Sequence, residues 1–349
     1  MLSFDPNKNY DRIFSTSIPK WLCAASDVRE SAYLVPHSDQ STVIFQKDNN
    51  ITALSNICAH KQSLIFKEHT GRLGTTITCP VHKWTWERSG AIRKAPGFEN
   101  QTTMNLNNIP VYNWNGHIFK GPDNWLQDIE KLGNNTSFVN IDNYNWHSHQ
   151  KLEYNFSWTI FMEIFLDLYH VKSFHPGLRS LTDCKDFAWS FGDNWLVQTG
   201  SFRREMPLEP TYKNLYDFYV KNKTYDTAKF GAVWLLIYPN IMIEYYPGCI
   251  VVSTVWPNGQ HKCINYLDFY YEKNLLDIYP NFADAMFDCF MVTANEDEEI
   301  GQRMQAGRAL THNRLPLFNH PTEEVGYTPF FNWLDKQLNE CEVPTHRCK

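Results

Sequence analysis

Two short ligand pairs near the start of the chain, Cys58-Ala-His60 and Cys79-Pro-Val-His82, are separated by residues 61–78. Two thiolates and two imidazoles form the donor set that divides a [2Fe-2S] cluster between a thiolate-bound and an imidazole-bound iron. A structural zinc site is the rival, because zinc also accepts Cys2His2 sets at short spacings. Zinc fingers usually group the cysteines together and the histidines together. Here each loop supplies one of each, which suits two irons that each take one ligand type from both loops.

The surrounding run Cys79-Pro-Val-His-Lys-Trp-Thr-Trp86, with Gly71, Gly74 and Gly90 nearby, resembles the Rieske [2Fe-2S] family. It resembles the oxygenase and ferredoxin branch, since Ser63 and Val81 stand where respiratory members carry two cysteines that staple the loops. Gln62 and Lys83 depart from the glycine common at those positions, and the 18-residue gap (61–78) is slightly long. Glycine there lets the backbone turn and donate hydrogen bonds to the sulfurs. Trp84 and Trp86 read as packing against the cluster loops.

About 230 residues follow the cluster region, which by length alone implies a second domain. Within Phe161–Gly177 lies Asp167-x2-His170-x4-His175, set in an apolar run expected to be a buried helix over about 158–174. His175 would point roughly 140° away from His170 on an ideal helix, so one metal can take both only if the helix loosens; Pro176 supplies the reason. Two imidazoles plus one carboxylate form the facial triad of non-haem Fe(II) oxygenases. Met286, Phe290, Thr293, Asp297, Ile300 and Met304 recur at helical steps, which puts Asp297 inside an apolar stripe where a carboxylate needs a partner. Glu296, at the stripe's edge, is the reserve candidate, and Glu298 and Glu299 are expected on the solvated side.

The order of these motifs, with Tyr169-His-Val-x3-His-Pro-Gly-Leu178 and Glu296-Asp-Glu-Glu-Ile-Gly301, resembles the catalytic alpha subunits of Rieske non-haem iron oxygenases over about residues 18–310. The resemblance implies a cluster on Cys58, His60, Cys79 and His82 and a mononuclear Fe(II) on His170, His175 and Asp297. Asp167 would hydrogen-bond a ligand histidine and bridge to a cluster histidine of a neighbouring subunit, in a head-to-tail homotrimer or a multiple of one. Ser157 replaces an Asn often seen before Trp158, a change expected to reshape the pocket mouth.

The implied fold is α+β: a lead-in (1–20), a small all-β Rieske domain (21–121), a connector (122–150) and a helix-grip, START-like catalytic domain with an antiparallel sheet (151–349). Strands are expected from about 185 to 272 and a helix near 282–310. Phe330, Phe331 and Trp333 are candidates for docking on a neighbour.

The implied activity is that of a terminal oxygenase using O2 to hydroxylate or demethylate a small organic substrate. Electrons would come from NAD(P)H through a separate reductase or ferredoxin, since no Gly-x-Gly-x2-Gly run lies between a strand and a helix. Around Tyr169–Leu178 the resemblance leans toward choline, carnitine and demethylase types. An aromatic-ring dihydroxylating dioxygenase, serving aromatic compound catabolism, is the close alternative. An electron carrier or binding protein with a vestigial iron site is the alternative of another class.

A net charge of −6 with scattered basic residues offers no nucleic-acid surface. The apolar stretch Phe230–Trp256 is broken by Pro239, Asn240, Glu244, Pro247 and Gly248 into strand-length pieces, too short to span a membrane. No signal peptide is evident. Cys23, Cys184, Cys249, Cys263, Cys289, Cys341 and Cys348 are expected as free thiols in a reducing, cytoplasmic setting.

Overall fold

Turn residues punctuate the first third of the chain so often that only short strands can form there. The computed structural model describes residues 8–98, 104–182, 186–203, 205–224, 228–310 and 318–342. Contacts divide the chain into two units, one formed by Pro19–Asp123 with Asn140–Trp146, the other by Met1–Ile18, Asn124–Val139 and His147–Lys349. Cys184 and Cys348 lie outside the described residues, as does the side chain of Cys341.

The first of these units holds β1 (Lys20–Ala24), β2 (Ala32–Leu34), β3 (Thr42–Lys47), β4 (Asn50–Ser55), β5 (Thr70–Arg72), β6 (Thr76–Thr78), β7 (Thr85–Glu87), β8 (Ile92–Lys94), β9 (Asn108–Ile109), β10 (Tyr112–Trp114) and β11 (His117–Lys120). They form sheets ordered β5-β2-β3-β4-β9, β1-β11-β10 and β6-β7-β8. Strand β3 is apolar at successive positions because it has a core on each face. Val43 and Phe45 enter one with Cys58, Cys79, Trp84 and Trp86, whereas Ile44 enters the other with Leu22 and Ile118. The first ligand pair follows β4, and the second forms the hairpin between β6 and β7.

In the other unit, β12 (Tyr144–Tyr154), β13 (Ala188–Phe191), β14 (Trp195–Gly200), β15 (Ala232–Ile237), β16 (Ile241–Tyr246), β17 (Cys249–Pro257) and β18 (Cys263–Glu272) make a sheet ordered β12-β18-β17-β16-β15-β14-β13. Strands β13 to β18 pair antiparallel throughout. Gly248, at φ +85, supplies the left-handed residue of the β16–β17 turn. A 29-residue helix, Phe282–Leu310, buries Phe282, Met286 and Cys289 against the sheet residues Val251, Leu267 and Phe269 and against Tyr212, Leu215 and Tyr219. The α+β expectation holds.

Three local expectations are corrected. Residues 122–150, read as a connector, contain the helix Asp123–Ile129, a 3-10 segment Glu130–Val139 and the start of β12. The helix Pro210–Lys221 interrupts the expected run of strands; Glu209 caps it by accepting from the Tyr212 N–H, and Pro210 begins it. Phe330 and Phe331 are buried in the core of their own unit with Tyr10 and Tyr238, and the Trp333 indole donates to Asn194, so the tail helix Tyr327–Glu342 docks at home. No helix among the described residues is long and apolar enough to cross a membrane.

One buried ion pair joins the helix Phe282–Leu310 to the helix Trp158–Phe165, and the tail helix reaches it through Tyr327. Arg308 donates to both carboxylate oxygens of Glu163, each at 2.6 Å, and the Tyr327 hydroxyl donates to the same group. Glu163 is 4% exposed. Removing the guanidinium would strand a buried charge, at a cost of about 3–5 kcal/mol. Arg308→Ala is therefore expected to lower the free energy of unfolding, read from urea titration, by that amount.

Candidate active site

The two ligand loops repeat one turn. The Gln62 N–H donates to the Cys58 carbonyl at 2.9 Å, and the Lys83 N–H donates to the Cys79 carbonyl at 3.1 Å. Each turn closes through a left-handed residue, Gln62 at φ 57 and Lys83 at φ 59. These are the positions at which glycine would be unstrained, and each side chain there costs about 1–2 kcal/mol. Burial raises the Cys79 thiol pKa, but the Val81 N–H, the Ser63 hydroxyl and the His82 N–H favour the thiolate and lower it overall. The Ser63 hydroxyl lies 3.6 Å from the Cys79 Sγ. His60 stacks on Trp84 at 4.8 Å and 6°, with the His82 ring 4.6 Å away. The buried Nδ1 of His60 has no hydrogen-bond partner among the described residues, and a bond to iron would satisfy it. Both tryptophans are buried, as expected of packing residues.

The helix containing Trp158 stops at Phe165, short of the expected 174. Asp167 explains the break: its Oδ1 accepts from the N–H groups of Tyr169 (2.6 Å) and His170 (3.1 Å), starting a new short helix, Val171–Phe174. His175 leaves that helix at φ −111, ψ 74, the excursion that Pro176 demands. Loosened on both sides, the chain brings the two imidazoles together. Ser157 caps the first helix by accepting from the Ile160 N–H and lies away from the cavity lining, so its difference from the family pattern is a helix cap, not a change to the pocket mouth.

Nε2 of His170 and Nε2 of His175 are 2.9 Å apart, and Oδ1 of Asp297 lies 3.4 Å and 2.9 Å from them. Donors about 2.1 Å from a shared ion, at right angles, lie about 3 Å apart, so this set suits a six-coordinate dication with open positions. Glu296 occupies the other side of His175: its Oε2 is 2.6 Å from Nδ1, which fixes the proton there and bares Nε2. Asp167 Oδ2 stands 3.2 Å from His170 Nδ1 but without hydrogen-bond alignment. Burial lowers the pKa of His170, yet Asp167 and Asp297 outweigh it and raise the value to about 9.

The triad opens into a cavity walled by Phe161, Phe165, Leu178, Phe202, Trp234 and Phe290, among others. Glu298 also borders it, in place of the solvated position expected, because one helical step from Asp297 still reaches the rim. Sequence reasoning missed a buried acid in the cavity wall, Glu244. It sits on β16 beside Trp234, its Oε2 accepts from the Tyr246 hydroxyl at 2.9 Å, and that hydroxyl accepts from the Trp234 indole at 2.9 Å. Burial, with the nearby Asp297 charge, raises its pKa to about 7. Its one signal was a lone acid inside an apolar strand.

Family models match both units' motifs. The ring hydroxylating alpha subunit (catalytic domain) matches residues 141–340, and the Rieske [2Fe-2S] domain matches residues 19–113. The chain belongs to the Rieske oxygenase alpha subunits. Among Rieske oxygenases, it is 34% identical to a putrescine 2-hydroxylase of Ralstonia nicotianae, over 82% of this chain and 77% of the relative. It is 29% identical to a putrescine 2-hydroxylase of Bordetella bronchiseptica, over 87% and 75%. The crystal structure of a quaternary ammonium Rieske monooxygenase has the same fold, with a TM-score of 0.71 at 17% identity over 94% of this chain and 91% of that one. A Rieske oxygenase of this kind is the terminal component of its system. It uses a [2Fe-2S] cluster, a mononuclear iron, O2 and electrons from a reductase partner to hydroxylate or demethylate a small organic substrate.

Two predictions follow from this geometry. Lys83→Gly should keep the full cluster absorbance and raise the melting temperature slightly, whereas the β-branched Lys83→Ile should lose both. For Glu244, the unfolded carboxyl ionises near its ordinary 4.5, while the folded one stays neutral until about 7. The group therefore costs nothing below 4.5 and on the order of 3 kcal/mol above 7. Glu244→Gln should melt higher than the parent at pH 8, with the difference nearly gone at pH 5.

Proposed function

We propose that the chain oxidises a small aliphatic amine at a mononuclear iron held by His170, His175 and Asp297, with the cluster on Cys58, His60, Cys79 and His82. The charge of the cavity carries the substrate class. Asp167, Glu244, Asp297 and Glu298 border it, and none of its described lining residues is Lys or Arg. Carboxylates set in an apolar wall favour a cation with a hydrocarbon body, and they disfavour a substrate that carries its own carboxylate. A neutral arene would leave them unpaired. The activity in the names of the two relatives, hydroxylation of putrescine, points the same way and weighs against aromatic-ring dihydroxylation. The aromatic walls also suit a quaternary ammonium group, which keeps demethylation as the second reading.

Each residue then has a task. Glu296 keeps the Nδ1 proton on His175 so that Nε2 points into the triad as a lone pair. Asp167 shapes the turn that presents His170, and its Oδ2 stands 3.2 Å from that ring's Nδ1. The aromatic lining excludes water from the carbon to be oxidised. Bound there, the iron supplies O2 activation with electrons that reach it from the reductase through the cluster. In a head-to-tail homotrimer, Asp167 would also link to a cluster histidine of a neighbouring subunit; the exposed His82 ring fits such a contact. The buried thiols Cys23, Cys249, Cys263 and Cys289 fit a reducing, cytoplasmic compartment.

Metal analysis and turnover together test this reading. Anaerobically purified protein should hold about three irons and two sulfides per chain. His175→Ala should hold two of each, keep the cluster absorbance and lose product formation entirely. Survival of product formation in that variant would remove the triad from the mechanism.

A further inference from the structure

Six acids are buried among the described residues: Asp39, Asp128, Glu163, Glu244, Asp268 and Glu323. Five of them have a basic side chain within ion-pair distance, namely Lys120, Lys131, Arg308, His149 and Lys172 respectively. Glu244 has none among the described residues. This is the one acid of the six that a cation from outside could complete, and it alone of the six borders the cavity.

We propose that Glu244 recognises the ammonium group of the substrate, anchoring one end of an alkylamine while the hydrocarbon chain lies along the apolar wall toward His170, His175 and Asp297. The proposal rests on the reading that the cavity takes an aliphatic amine, and it names the residue that makes it so. Glu244 is 8% exposed, on a strand flanked on both sides by sheet, so water cannot substitute for a cation there without entering the apolar wall. Its Oε2 is fixed by the Tyr246 hydroxyl, which is itself polarised by the Trp234 indole; each of the two donated protons points along the chain toward the carboxylate. Oε1 makes no hydrogen bond to any described residue, which leaves it for the ligand. The Trp234 and Tyr246 rings border the same space and add aromatic faces suited to an ammonium. Burial and the Asp297 charge hold the free carboxyl partly protonated near neutrality, and a docked ammonium would complete its ionisation.

A purely structural Glu244, present only to hold Tyr246, would not distinguish substrates by charge, and this separates the two roles. The experiment uses full-length holoenzyme with a surrogate reductase, and compares 1,4-diaminobutane, 1-aminobutane and the neutral 1-butanol by turnover and by anaerobic titration calorimetry. The parent enzyme is expected to bind and oxidise the diamine. Glu244→Gln should raise KM and Kd for both amines 10- to 100-fold with kcat changed less than threefold, cluster absorbance and iron content unchanged, and no matching loss for the alcohol. Tyr246→Phe, which keeps the carboxylate but removes its donor, should raise KM for the amines about 3- to 10-fold, and it carries the test should Glu244→Gln fail to fold. Unchanged amine affinity in the folded variants, with the parent active on the diamine, overturns the role of Glu244 and leaves the proposed function standing. A parent enzyme that neither binds nor oxidises either amine overturns both.

Discussion

Two imidazole nitrogens and a carboxylate oxygen lie within 3.4 Å of one another in a largely apolar setting, and the rest of the catalytic unit is arranged to hold them there. A proton on an imidazole holds them together without a metal, and a metal cation would do the same. The fold brings them to this spacing. Asp297 comes from the middle of a 29-residue helix pinned by Phe282, Met286 and Cys289 at one end and by the Arg308–Glu163 pair at the other. The histidines come from a segment bent twice, by the Asp167 turn and by Pro176. Gly177 lets that segment pass Tyr212 closely, since a Cβ there would approach the ring to 2.2 Å. Tyr212 in turn bonds Thr293 at 2.5 Å, one turn before Asp297, so one side chain registers both ligand-bearing elements against each other.

The cluster loops solve a related problem with backbone. Matching turns at Cys58 and Cys79 direct amide groups toward sulfur, and both turns need a left-handed residue. Glutamine and lysine adopt that conformation here at a cost of about 1–2 kcal/mol each. Such a cost persists where the surrounding packing and the bound group over-determine the loop. Here Trp84 and Trp86 provide the packing, and a bond from the buried His60 Nδ1 to a cluster iron would complete it.

What the sequence made legible follows from how local each signal is. Ligand pairs two, three and five residues apart, and an acid in a helical stripe, declare themselves within one element; the structure gathers these side chains into the loops and the triad described above. The break at Leu166 was hidden because Asp167 read as a carboxylate with a chemical task, although the same side chain also makes a turn. Glu296 and Glu298 were ambiguous because a helical period assigns faces only to within a residue width. The tail aromatics looked like a docking patch because their partners, Tyr10 and Tyr238, lie far away in sequence.

Glu244 shows a different kind of illegibility. In sequence it is one acid in an apolar strand, useful for excluding a membrane span and little else. Its meaning depends on what does not surround it, and an absent partner has no local signature. A buried acid without a cation lowers stability at neutral pH, whereas the same acid beside a bound ammonium does not. If Glu244 receives an ammonium group as proposed, the carboxylate couples folding to occupancy, and an amine would stabilise the protein in proportion to how well it completes the pair. Affinity and specificity then have one origin, because the free-energy cost that an amine relieves is one a neutral molecule of the same shape leaves in place.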